Sequence, residues 1–280
     1  MASSSAQIPP DPRLDGKIAR YDRDEIISQL ESFYKFLPHI PTLAVQRAPP
    51  GGWPSITAEI LEQHGIHKTP EAINLLRHLP YISMENGTRP YFVPDGFVCD
   101  YRLFATEDLT KYNKHNWMSL VKRGDGGTFD GKDEKWPPWV IQLSAGTDRE
   151  GQCFMLDTTD GTVTKYTVIH FLFKPTYDKD DPRSWRDRMC DDETRVLSDQ
   201  IERWKNYYLN LELCALPPTV RFIGSVEDPM IFIRRPGDQP GDPHWEETEG
   251  LRKIYTEYGW PDNYDKERCC EAMVKWWQSQ

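Results

Sequence analysis

The sequence predicts an α+β fold, with an antiparallel sheet over about residues 90–173 and N- and C-terminal helices packed mainly on one face. Two observations carry this. Apolar residues recur with helical spacing before residue 80 and again after residue 195. Between 90 and 173 the spacing changes to that of short strands separated by turn residues.

Residues 1–20, rich in Ser and Pro, read as a flexible tail, and 21–280 as a single domain. Asp22 caps the first expected helix, with Glu25 three residues on completing a capping box. Its face is Ile26, Ile27, Leu30, Phe33, Tyr34 and Leu37, and Pro38 and Pro41 end it. A loop through Pro49-Pro50-Gly51-Gly52-Trp53-Pro54 leads to a short helix with Ile56, Ile60 and Leu61, closed by Gly65. Thr69 as N-cap and Pro70 behind it start the third, which stops at Leu79-Pro80.

Strands are expected at Tyr91–Val93 and Phe97–Phe104, with Asp95-Gly96 turning between them. The polar stretch 105–138 is long for a connection, a length usual for functional or disordered segments. Trp139–Leu143, Cys153–Leu156 and Thr162–Phe173 read as an antiparallel meander with turns at Ala145–Gly151 and Thr158–Gly161. Alternation puts Phe154 and Leu156 on one face of their strand and Cys153, Met155 and Asp157 on the other, so the strand should be covered on both sides. A charged loop, Lys174–Glu193, precedes a long helix whose stripe is Leu197, Ile201, Trp204, Tyr208 and Leu211. Asp191, Asp192 and Glu193 suit the positive end of that helix. Two short strands follow, Val220–Ile223 and Met230–Arg234. Two terminal helices close the chain: one with Leu251, Ile254, Tyr255 and Tyr258 ending at Gly259, one with Cys269, Met273 and Trp276.

The segment Gly151-Gln152-Cys153-Phe154-Met155-Leu156-Asp157, then Gly161-Thr162-Val163-Thr164-Lys165-Tyr166, followed by a long amphipathic helix, resembles the Smi1/Knr4 (SUKH) family over about residues 139–211. The resemblance implies an antiparallel sheet with helices on one side and a binding module without catalytic residues, of the adaptor or immunity-protein kind. The whole chain also resembles proteins of filamentous fungi, chiefly through Pro50-Gly51-Gly52-Trp53-Pro54, Leu75–Tyr81 and Tyr258-Gly259-Trp260-Pro261.

The net charge of −10 opposes a general nucleic-acid role, because phosphate binding needs excess Lys and Arg. Six cysteines without a CxxC suit reduced thiols in cytosol or nucleus and indicate neither a disulfide scaffold nor a zinc site. No apolar run approaches a membrane span. The sequence offers no catalytic residue set, metal site or cofactor motif, and leaves oligomeric state open.

Each chemical candidate has a plainer reading beside it. His64 and His67 flank a helix-ending Gly65, which favours a C-cap over a metal site. Asp157-x-x-Asp160-Gly161 weakly matches a calcium loop, but the alternating acidic ligands are missing and a hairpin turn explains it better. Cys153 and His170, both on expected strands, form a possible thiol–imidazole pair for an enzyme reading; the plainer one is an inert core thiol. Ser144-Ala145-Gly146 is explained by a turn.

Aromatics off the periodic faces remain. Trp136 and Trp139, in Trp-Pro-Pro-Trp, and Trp53, Trp245 and Trp260 either anchor an interface or pack Pro-rich loops, or they line a small-molecule pocket. The extension 238–280 is acidic and helical. Between Asp238 and Glu271 it holds 10 acidic and 4 basic residues, a balance of −6. Trp245, Tyr258 and Trp260 beside Glu246, Glu247 and Glu249 are therefore expected to form a docking face for a basic protein partner.

Overall fold

The computed structural model describes residues 10–83, 90–94, 96–105, 136–146, 151–167, 175–188, 193–218, 231–234, 237–242 and 245–279. The architecture is α+β, with antiparallel strand pairs throughout the described residues. Helix α1, Arg23–Phe36, starts where Asp22 accepts the backbone N–H groups of Asp24 and Glu25. The Glu25 carboxylate takes Nε2 of Gln29. Helices α2 (Ala58–Gln63) and α3 (Pro70–His78) begin at Thr57 and Thr69, whose hydroxyls accept the N–H three residues on.

The described strands form four small sheets. Strands β1 (Val45–Gln46) and β2 (Tyr81–Ile82) pair, as do β10 (Leu213–Ala215) and β11 (Ile231–Ile233). The expected single sheet over 90–173 is divided in two. One has the order β3 (Tyr91–Val93), β4 (Gly96–Val98), β6 (Ser144–Gly146). The other has β5 (Val140–Gln142), β7 (Cys153–Asp157), β8 (Thr162–Tyr166), β9 (Thr194–Val196). Ser144-Ala145-Gly146 is thus a strand, not a turn. The chain leaves β5, bends at Leu143 and joins β4, while the Ser144 hydroxyl bridges back to β7 by accepting the N–H of Phe154. The strand expected over 97–104 stops at Val98, because Asp100 accepts the N–H of Arg102 and starts a 3-10 turn, Tyr101–Ala105. Strands β9 and β10 were not legible, and Val220–Ile223, residues 106–135 and His170 lie outside the described residues.

The strand β7 lies between β5 and β8 and is buried on both faces, as its alternation predicts. Phe154 and Leu156 face the main core with Ile141 and Val163; Cys153 and Met155 face a second cluster with Trp136, Val140, Tyr166 and Trp185. The helix α4, Leu197–Leu209, lays Leu197, Ile201, Trp204 and Tyr208 on the first face; Leu211 falls past its end at φ +51°. Trp204 touches the rings of Phe154, Phe92 and Phe33 at centroid distances of 4.8, 5.1 and 5.2 Å. Glu193 stands before β9, with the three residues of that strand between it and α4, and pairs with Arg203 in the second turn of that helix, while Asp191 and Asp192 lie outside the described residues.

The other face of the four-stranded sheet is covered by a 3-10 turn, Ser184–Arg188, and by residues of the expected tail. Pro12–Leu14 form a short turn capped by Asp11, and Asp11 is itself buried. The tail assignment therefore fails for this part. A cluster of four charged side chains at the sheet holds it down: Arg186, fully buried, pairs with Asp11, Asp157 and Asp160. Among the described residues no helix is long and apolar enough to cross a membrane.

Candidate interaction surface

Helix α5, Trp245–Glu257, buries Thr248, Leu251, Ile254 and Tyr255 against the body, and the Tyr255 hydroxyl donates to the carbonyl of Ala215. Gly259, at φ +85°, turns the chain so closely that a Cβ there would lie 2.3 Å from the carbonyl oxygen of Asn263. Helix α6, Lys266–Gln278, starts at Asp265 and buries Cys269 and Met273. The two helices meet at Gly250, where the ring of Trp276 takes the space a side chain would need. This leaves Trp245 half-buried, with Glu246 exposed and Glu247 at intermediate exposure, all in the first turn of α5.

The charges of this region are distributed unevenly. Lys266 points inward and donates to the backbone carbonyls of Lys35, Leu37 and Ile40 at 2.7, 2.8 and 3.1 Å, closing the end of α1. Burial pushes its ammonium down to about 8. Arg252 pairs with Glu249 and Arg268 with Asp265, each within its own helix. Glu246, Glu247, Glu257, Asp262, Glu267 and Glu271 form no ion pair among the described residues. The negative face is thus stronger than composition suggests, since one of its four cations is held by backbone carbonyls at the end of α1.

The aromatic candidates separate. Trp260 is a staple: its indole N–H donates to the carbonyl of Tyr208 at 3.1 Å, and its ring packs on Phe36, Tyr255 and Tyr264. Trp136 is 5% exposed and meets Tyr166 and Trp185 nearly at right angles, with centroids 5.3 and 6.0 Å apart. This is loop packing over the second face, and Trp139 covers its edge. Trp53 donates its N–H to the carbonyl of Leu79. Tyr258 is half-buried, with Arg268 5.9 Å from its ring centre. Trp245 stays at the surface with Arg234 stacked 5.3 Å from its ring centre. Glu249 joins this stack through its pair with Arg234 at 3.0 Å, so it differs from Glu246 and Glu247 in already holding a cation.

The chemical candidates take structural roles. Cys153 is buried, and burial pushes its thiol up to about 11, far from a thiolate at neutral pH. Its Sγ accepts the N–H of Gly146. His64 bonds the carbonyl of Phe104 through Nε2 and lies against that ring, while His67 is exposed. Asp157 and Asp160 do hold a cation, and it is a guanidinium: Nη2 of Arg186 is 2.8 Å from an oxygen of each. Burial, and then the neighbouring Asp160, raise the Asp157 carboxyl; burial opposes the charge on Arg186, but Asp160 and Asp157 outweigh it and raise the Arg186 pKa.

Two groups escaped the reading of the sequence. Burial brings Lys68 down to about 7, a value found in nucleophilic lysines, yet its ammonium is bound to the backbone carbonyl of Val140. Asp11 had a local signal, an Asp immediately before Pro12, which is a helix-start pattern. Its distant partner Arg186 had none.

Among the described residues no group of three or more His, Cys, Asp or Glu is arranged to hold a metal ion. In comparisons with protein-family models, with curated proteins and with solved structures, nothing matches the chain.

Proposed function

We propose that the chain is a non-catalytic protein-binding module, an adaptor of SUKH-like type, which docks a basic protein partner on the acidic α5–α6 surface around Trp245. The observation that carries this reading is the half-exposed Trp245 at the head of α5, flanked by Glu246 and Glu247 without ion-pair partners among the described residues, while Lys266 is held by backbone carbonyls at the end of α1. An aromatic anchor with carboxylates around it supplies burial at the centre and attraction at the rim. The same charge opposes nucleic acid and anionic lipid as partners. The SUKH-like part of the reading draws support from the β7–β8 hairpin and from α4 packing on its sheet, the arrangement that the resemblance implies. Free thiols at Cys99, Cys153, Cys214, Cys269 and Cys270 fit a reducing compartment, cytosol or nucleus.

The test uses a basic partner protein recovered by pulldown and its dissociation rate from the wild type and from Trp245→Ala. The reading expects dissociation to quicken on removal of the anchor. An unchanged rate, with Trp245→Ala folded as the wild type, removes Trp245 from the interface and the reading with it.

A further inference from the structure

Trp245 and Glu249 stand four residues apart on α5, so their side chains share one face of the helix. Arg234, the residue after β11, lays its guanidinium carbon 5.3 Å from the Trp245 ring centre and brings Nη1 to 3.0 Å from Oε1 of Glu249. An indole face and a carboxylate one helical turn away address two features of a guanidinium at once. The ring quadrupole takes the flat cation, and the carboxylate takes its N–H groups. The pairing with Arg234 is incomplete: Oε1 of Glu249 is buried without a well-aligned hydrogen bond, although Arg234 and Arg252 both approach it. The side chains of Arg234 and Glu249 are 35% and 29% exposed, so the stack borders solvent. Glu246 and Glu247 lie beside it and favour the approach of a cation.

We infer that Trp245 and Glu249 form a receptor for an arginine side chain of the basic partner, and that Arg234 fills it in the unbound protein as a displaceable stand-in. The inference rests on the α5–α6 surface being the docking face. Binding then requires Arg234 to swing out, and the apparent affinity is lowered by the fraction of molecules in which it has done so. Arginine is preferred over lysine, because an ammonium lacks the plane that stacks on the indole.

The experiment is an anisotropy titration of a labelled peptide of alternating Arg and Gly with four folded proteins and one double variant, checked by circular dichroism. The four are the wild type, Arg234→Lys, Arg234→Gln and the charge-matched control Arg268→Gln. Both Arg234 variants should bind about five- to tenfold tighter than the wild type, the gain expected when a self-occupied site is opened. Arg268→Gln should change little, and adding Trp245→Leu to Arg234→Gln should abolish the gain. The Arg234→Lys arm separates opening of the site from loss of a positive charge. If all four proteins bind with the same affinity, the docking face stands and the receptor is overturned. If none binds, both the docking reading and the receptor fail.

Discussion

Arg186 stands where the carboxylates of Asp157 and its turn neighbour offer a cation site, with Nη2 2.8 Å from Oδ2 of Asp157 and no exposure to solvent. Removing the guanidinium leaves three carboxylates, Asp11, Asp157 and Asp160, without this counter-charge, and the loss of one partner of a buried pair costs about 3–5 kcal/mol. Arg186→Met should therefore lower stability by about that amount at pH 7 in urea unfolding. Asp11→Asn should cost less, since Asp157 and Asp160 remain on Arg186. The Arg186→Met deficit should also shrink in acid. A carboxyl whose folded pKa lies above its unfolded value favours folding at low pH and loses that contribution as pH rises. Equal midpoints for Arg186→Met and the wild type at pH 7 would refute this role.

Trp204 is 2% exposed and joins α1, α4, β3 and β7 through Phe33, Phe92 and Phe154. Trp204→Ala should cost about 3–5 kcal/mol, as truncating a large core aromatic does. The check is the shift of the unfolding midpoint, and a shift near zero contradicts the packing.

His39 is buried, with Nε2 on the carbonyl of Tyr91 and Nδ1 without a hydrogen-bond partner. Burial pushes its pKa down to about 3, opposed by the Tyr91 carbonyl and assisted by Lys266. The folded protein thus requires neutral imidazole. A folded pKa below the unfolded one gives stability that is present above about pH 6.5 and lost as pH falls toward 3, by about 1.4 kcal/mol per pH unit. Replacing His39 by Phe should flatten this part of the pH dependence between 6.5 and 4. Parallel curves for the wild type and His39→Phe would exclude His39 as its source.

The sequence made helices legible where caps and apolar stripes coincide, as at Asp22, Thr69 and the Leu197–Tyr208 face. Burial of both faces of β7 was legible too, because period-two alternation with apolar residues on each side has no other solution. What failed was pairing over distance. Ser144–Gly146 carries small residues typical of turns, and only its partner β4 makes it a strand. Thr194–Val196 is too short to show a period, and Asp11 reaches Arg186 across 175 residues. At the interaction surface, composition supplied the charge but not the direction of side chains. Trp260 donates to the carbonyl of Tyr208 and Lys266 to carbonyls at the end of α1, contacts over distance that composition does not show.

On the proposed function, carboxylates around Trp245 steer a basic partner onto α5. Glu249 already holds Arg234, so the charge reversal that tests steering is Glu246→Lys with Glu247→Lys. The measurement is the association rate of the recovered partner at two ionic strengths, since exposed charges act over a Debye length of ~30 Å at 0.01 M salt and ~8 Å at 0.15 M. The account predicts slower association of the double variant, with the larger deficit at low salt. Association rates equal to the wild type at both ionic strengths would contradict it, leaving these carboxylates as groups that only keep an exposed helix start solvated.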